Sequence, residues 1–199
     1  MTDTTAIAVD QLDRRQRYQL MIASVIPRPI AWTSTIATDG TPNIAPFSFF
    51  GGVSSDPPTV MLSIGRRADG SCKDTAQNLI DSKEAVIHIC PVSEGEAMVA
   101  TSAPLGPAES EFEKVGLATV ASSIVAPQRL ARSAIAIEAR AIDHREVGNG
   151  PVDLFLLEAL CFHLRSDLIV DGLPDAKRLD ALGRLGGNLY CSTASTIPL

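Results

Sequence analysis

Residues 135 to 165 constrain the fold of this chain more than any other stretch. Ile135, Ile137, Ala139 and Ala141 alternate with Glu138, Arg140 and Ile142, the period of a strand with one buried face. Asn149-Gly150 supplies a tight turn, and Val152 to Arg165 continues as a second long strand. Strands joined this way pair antiparallel, and closing the sheet on itself removes its sticky edges. The first third repeats the pattern. Ile30 to Ile36 mixes β-branched and small residues, Thr38-Asp39-Gly40-Thr41 turns, and Asn43 to Phe50 returns, with Pro46 suited to an edge. Thr59 to Ile64, entered through Asp56-Pro57-Pro58, and Ala85 to Cys90, stopped by Pro91, are further extended segments. The expected class is mainly β (α+β), a barrel or sandwich with a few helices attached.

Those helices are short. Asp10 to Leu20 can form one, before an irregular entry from Ile22 to Pro29. Asp74 to Lys83 reads as another, with Asp74 as N-cap and Ala76, Leu79 and Ile80 facing inward. Ser93 and Glu96 have capping-box spacing for a helix to about Thr101, and Ser110 to Val115 ends at Gly116. With 199 residues and no visible linker or repeat, one domain over 21–199 is expected, with 1–20 as an N-terminal extension.

Composition removes several function classes. The net charge is −6 and no Lys/Arg run exceeds two residues, which argues against a nucleic-acid partner. The four cysteines form no CxxC pair, and His88-x-Cys90 sits in an apolar run as a buried histidine and a free thiol. Three scattered histidines and no HExxH leave no expected metal centre. The N-terminus has no signal-peptide pattern, and no apolar run is long enough for a membrane span, so a reduced, cytoplasmic protein is expected. GxGxxG and GxSxG are both absent.

Two stretches carry chemistry instead. In Gly65 to Thr75, Arg66, Arg67, Ser71, Lys73 and Thr75 lead straight into a helix start, where free N–H groups and the dipole favour a phosphate. Asp74 would act there through its backbone or as a cap. The same loop also fits a capped surface helix with a solvated basic turn. From Gly40 to Ser55 sixteen residues pass without a charge, polar donors lying among aromatics. Such a stretch suits a pocket for a flat, partly polar ring, or an edge strand running into an ordinary loop.

Pro27-Arg28-Pro29, Ala31-Trp32-Thr33-Ser34-Thr35 and Asn43-x-Ala45-Pro46-Phe47-Ser48-Phe49-Phe50 occur in an order that resembles the flavin-reductase-like FMN-binding split barrels. Asp56-Pro57-Pro58, Lys73-Asp74-Thr75 with Asn78, Ser110-Glu111-Phe112 and Arg184-Leu185-Gly186-Gly187-x-Leu189-Tyr190 extend the likeness over about residues 20 to 190. The resemblance implies a six-stranded antiparallel Greek-key split barrel and a homodimer. It implies isoalloxazine contacts from Thr33, Ser34, Asn43, Ala45, Phe47 and Ser48, and phosphate contacts from Ser71, Lys73, Asp74 and Thr75, with Arg66 added. No catalytic side chain is implied, since the cofactor carries the chemistry.

The residues agree with that implication. Flavin presents acceptors at O2, O4 and N5 and a donor at N3, which backbone N–H groups of 45–48, the Asn43 amide and the Ser48 hydroxyl match; Pro46 cannot donate. The expected function is hydride transfer from NAD(P)H to FMN, with the reduced flavin passed to a partner monooxygenase or another acceptor. The alternatives are an FMN-binding electron carrier of the flavoredoxin type and a flavoprotein oxygenase. His88, His163 and the cysteines are expected to be dispensable.

Overall fold

The computed structural model describes residues 2–106 and 109–197. Seven antiparallel strands make the main sheet: β1 (Ala31–Ile36), β2 (Pro42–Phe47), β3 (Phe50–Ser55), β4 (Pro58–Gly65), β5 (Glu84–Ile89), β6 (Ile135–Val147) and β7 (Val152–Leu164). Their order is β2-β1-β5-β6-β7-β4-β3. The two edge strands are successive runs of one chain, separated only by Ser48 and Phe49. The Ser63 N–H donates to the Phe49 carbonyl at 2.9 Å, and Phe50 pairs with Leu62. Residues 42–55 thus act as one bent strand that pairs with β1 by its first half and β4 by its second. That closes a barrel of six strand positions, as expected.

Asp39-Gly40 makes the β1–β2 turn, with Gly40 at φ +91°. The β6–β7 hairpin turns at 148–151, where Asn149-Gly150 placed it. Pro46, opposite Trp32, costs no ladder bond because β2 has no neighbour on its other side. The Phe50–Ser55 strand has no local signal of its own, since Gly51, Gly52 and the serines are poor strand formers. Its pairing with β4 supplies the order.

The barrel interior is filled by Phe47, Leu62, Ile64, Ile87, Phe155 and Leu157. A second cluster, including Ile30, Trp32, Ile44, Met98 and Phe112, packs the outer face of β1 and β2 under helices α3 (Gly95–Ala100) and α4 (Glu111–Val115). Helix α2 (Asp74–Ser82) adds Ala76 and Leu79 to the barrel core. Its N-cap is Lys73, not Asp74, and Ile80 faces outward while Thr75 and Asn78 are buried. Helix α3 likewise starts after a 3-10 turn, and no side chain caps it, so Ser93 is not its cap.

Helix α1 (Arg14–Ser24) starts later than expected and runs past position 20. Asp13 and Gln16 form its capping box, Gln16 N–H to Asp13 at 2.8 Å and Asp13 N–H to Gln16 at 2.9 Å. Among the described residues no helix is long and apolar enough to cross a membrane.

Candidate functional site

The N-terminus of α2 meets the middle of β2. Asn43 fixes that meeting: its amide nitrogen donates to Thr75 Oγ1 at 2.9 Å and to Thr35 Oγ1 at 3.1 Å. Thr35 also accepts from the Asn78 amide at 3.0 Å. The network is buried, so each polar group in it needs its partner. With the amide protons of Asn43 spent inward, the acceptor oxygen is the part left for a ligand.

Over this network lies a groove of about 360 Å³, lined by Asn43, Ala45, Phe47, Lys73, Thr75 and Glu111 among others. The segment from Thr101 to Leu105 forms its far wall. Lys73 Nζ sits 5.7 Å from the centre of the Phe47 ring, a cation over an aromatic face. No side chain caps the first turn of α2. The groove therefore offers an ammonium and uncapped N–H groups beside an uncharged wall of Ala45, Pro46 and Phe47. A second cavity, also about 360 Å³, shares Pro46, Phe47 and Ser102 with the groove, and Ser48 lies there.

Of the residues expected from the sequence, Asn43, Ala45, Phe47, Lys73, Asp74 and Thr75 come together in the groove. Thr33 and Ser34 do not present side chains to it. Both are fully buried, Thr33 Oγ1 donating to the Ala31 carbonyl and Ser34 Oγ to the Gln128 carbonyl at 2.7 Å. Ser71 closes a local turn, its N–H and hydroxyl both donating to Asp69. Arg66 faces away, donating to both Asp153 carboxylate oxygens at 2.9–3.0 Å and reaching Glu146 at 2.6 Å. Those bonds hold the Asp153 carboxyl below the usual range although burial opposes it, and His144 assists at 3.0 Å.

The structure adds groups the sequence reading did not assign. Arg67, not Arg66, reaches the groove, where it is paired with both oxygens of Asp74 at 2.7 Å. Glu111 is buried in the groove wall and accepts from the Ile44 N–H at 3.2 Å; burial raises its carboxyl pKa. Thr35 and Asn78 were legible in principle, Thr35 from strand alternation and Asn78 from its place one turn after Asp74.

Elsewhere, Glu138, Cys161 and His163 present ligand atoms within 4.8 Å of one another. The Glu138 oxygens are already occupied by the N–H groups of Ser123, Ile124 and Val125 and by His163 at 2.5 Å, so the cluster anchors the 123–125 loop. Burial pushes the Cys90 thiol up to about 12, which keeps it protonated and unreactive.

Comparison with known proteins decides the family. Residues 23–177 match the model of the flavin reductase like domain. The chain belongs to that family. It is 36% identical over 194 residues to a protein of Halalkalibacterium halodurans, covering 96% of this chain and 93% of that one. Component B of nitrilotriacetate monooxygenase from Bacillus cereus superposes with a TM-score of 0.95 at 30% identity, over all of both chains. The 2-nitrobenzoate 2-nitroreductase of Pseudomonas fluorescens gives 0.89 at 28%, over 98% of this chain and 95% of that one. Membership confirms the mainly β split-barrel class and places the chain among flavin-related oxidoreductases.

Proposed function

We propose that this chain is an FMN-dependent oxidoreductase of the flavin reductase type, using NAD(P)H as donor. The observation that carries the proposal is the groove itself, where a cationic, uncapped helix start adjoins an uncharged, partly aromatic wall. The donor set fits a phosphate ester of a flat heterocycle. Lys73 and the first N–H groups of α2 would hold the phosphate, helped by Thr75. Asn43, Ala45, Phe47 and Ser48 would line the ring, with Pro46 shaping the wall without donating. The Asp74 carboxylate is neutralised by Arg67 and so repels an anion less than a free one would.

FMN bound there would supply two-electron chemistry, accepting hydride from the nicotinamide and passing electrons on. The chain's own contribution is placement and water exclusion, and no side chain need act as acid or base. The Bacillus cereus protein is named as one component of a monooxygenase, which supports a separate oxygenase as acceptor here. A homodimer in the cytoplasm belongs to the same proposal: α1 leaves Tyr18, Leu20 and Met21 exposed, apolar surface that a second copy would cover. Sedimentation should then give twice the mass of one chain.

The decisive measurement is the absorption spectrum of the purified protein with FMN, before and after anaerobic NAD(P)H. Quenched flavin fluorescence and bleaching by NAD(P)H are expected. Quenching without bleaching would mark an electron carrier instead, and no quenching would end the FMN assignment.

A further inference from the structure

The second cavity contains two arginines and no acid. Arg28 and Arg184 line it together with Tyr18, Phe47, Ser48 and Tyr190, and no Asp or Glu is among its lining residues. Arg28 is only 5% exposed. Its Nη1 donates to the carbonyls of Ile22 and Val25 at 2.7 and 2.8 Å, its Nη2 to that of Leu185 at 3.0 Å, and its Nε to Ser48 Oγ at 3.4 Å. Arg184 lies 4.4 Å over the Tyr190 ring and donates to the Tyr190 hydroxyl and, at 2.5 Å, to the Gly187 carbonyl. Among the described residues neither pairs with a carboxylate.

Carbonyl dipoles solvate a buried guanidinium but do not cancel its charge, and an uncompensated buried charge is costly. The chain has 23 acidic residues against 17 basic ones, so the absence of an acid from this cavity is not a shortage of acids. The rest of the wall sets the apolar Ile22, Ile30 and Met98 among the neutral polar Ser48, Ser102 and Asn188. A pocket that is partly apolar, otherwise neutral and doubly cationic suits a flat molecule bearing anionic oxygens.

We propose that this cavity is an organic-anion subsite, in which Arg184 takes an anionic oxygen of a ring-bearing molecule and the buried Arg28 adds its charge. The proposal rests on the flavin reading in one respect: the shared Pro46–Phe47 wall would set that molecule beside the flavin and make ring-bearing anions the substrate class. A cavity of about 360 Å³ suits a small aromatic carboxylate, and that is the ligand proposed.

Titration calorimetry on the full chain, with and without FMN, compares benzoate with its neutral isostere benzamide. Benzoate should bind at least about tenfold more tightly, the least expected of charge-assisted hydrogen bonds. Arg184→Gln should abolish the preference. Arg28→Lys, which keeps the charge, should retain it, with circular dichroism checking the fold. Equal affinities for benzoate and benzamide, or a preference that survives Arg184→Gln, overturns the proposal. FMN quenching is read separately, so a missing flavin site with anion preference intact overturns the flavin reading alone.

Discussion

Neighbouring arginines with opposite fates show what a residue-level reading can and cannot reach. Arg66 and Arg67 are equivalent in the sequence, yet one is clamped by Asp153 and the other enters the groove. The deciding partner lies 87 positions away on β7, beyond any local pattern. Asp153 is fully buried, so Asp153→Asn leaves Arg66 with only the exposed Glu146. We expect a fall in melting temperature of about 5–10 °C from breaking a buried pair in a chain of this size. An unchanged melting temperature would show that Glu146 alone holds Arg66.

His88 gives a pH-dependent counterpart. Its Nδ1–H donates to the Trp32 carbonyl at 2.9 Å while Nε2 accepts from the Leu130 N–H at 3.0 Å, so the folded state needs the neutral ring. Burial drops its pKa from 6.5 to about 4. Between those values the unfolded chain takes up a proton that the folded one refuses, so stability falls as pH falls through that window. The loss amounts to roughly 3 kcal/mol at its lower end. Urea titrations of the wild type and His88→Gln from pH 7 to 4 should diverge by that slope; parallel curves would refute it.

At the scale of elements, strands with strong periodicity or a turn signal were legible: β1, β2, β4, β5, β6 and β7 fall within a residue or two of their expected places, apart from the ends of β2 and β6. The starts of α1, α2 and α3 were harder to place, because a candidate cap residue does not always cap. For α2 that error has functional weight, since the uncapped start is what leaves N–H groups for a ligand. Strand alternation also put Glu138 on a polar face, whereas it is fully buried. The 123–125 loop folds over it and donates three N–H groups. Burial alone would raise its pKa, but those bonds and His163 bring it below the usual carboxylate range. Glu138→Ala should therefore release the loop, with amide exchange at Ser123, Ile124 and Val125 faster by tenfold or more if one charge-assisted bond of about 1.5–3 kcal/mol is lost at each. Exchange no faster than in the wild type would mean that the loop is held by something other than Glu138.

For the whole molecule, barrel closure and the site are one event. The bend at Ser48-Phe49 turns a single run from β1 to β4, and the same run carries Asn43, Ala45 and Phe47 along the groove. Neither the bend nor the approach of α2 to Asn43 has a sequence signal; the ordered motifs of a related family supplied what periodicity could not. Because the groove exists only in the closed barrel, a ligand seated in it stabilises the entire fold by mass action. At a hundredfold excess over Kd, FMN should add about 2.7 kcal/mol, a rise in melting temperature of about 5–10 °C. Riboflavin, which lacks the phosphate, isolates the cationic part of the groove. If Lys73 and the first turn of α2 grip the phosphate, riboflavin should raise the melting temperature much less than FMN at equal concentration. Lys73→Ala should shrink that difference, since it removes an interaction of about 1.5–3 kcal/mol that only FMN makes. The lysine is exposed and pairs with no carboxylate among the described residues, so the unliganded variant should melt within a degree or two of the wild type. Equal stabilisation by FMN and riboflavin would place the phosphate outside this turn, even if the ring still lies along β2.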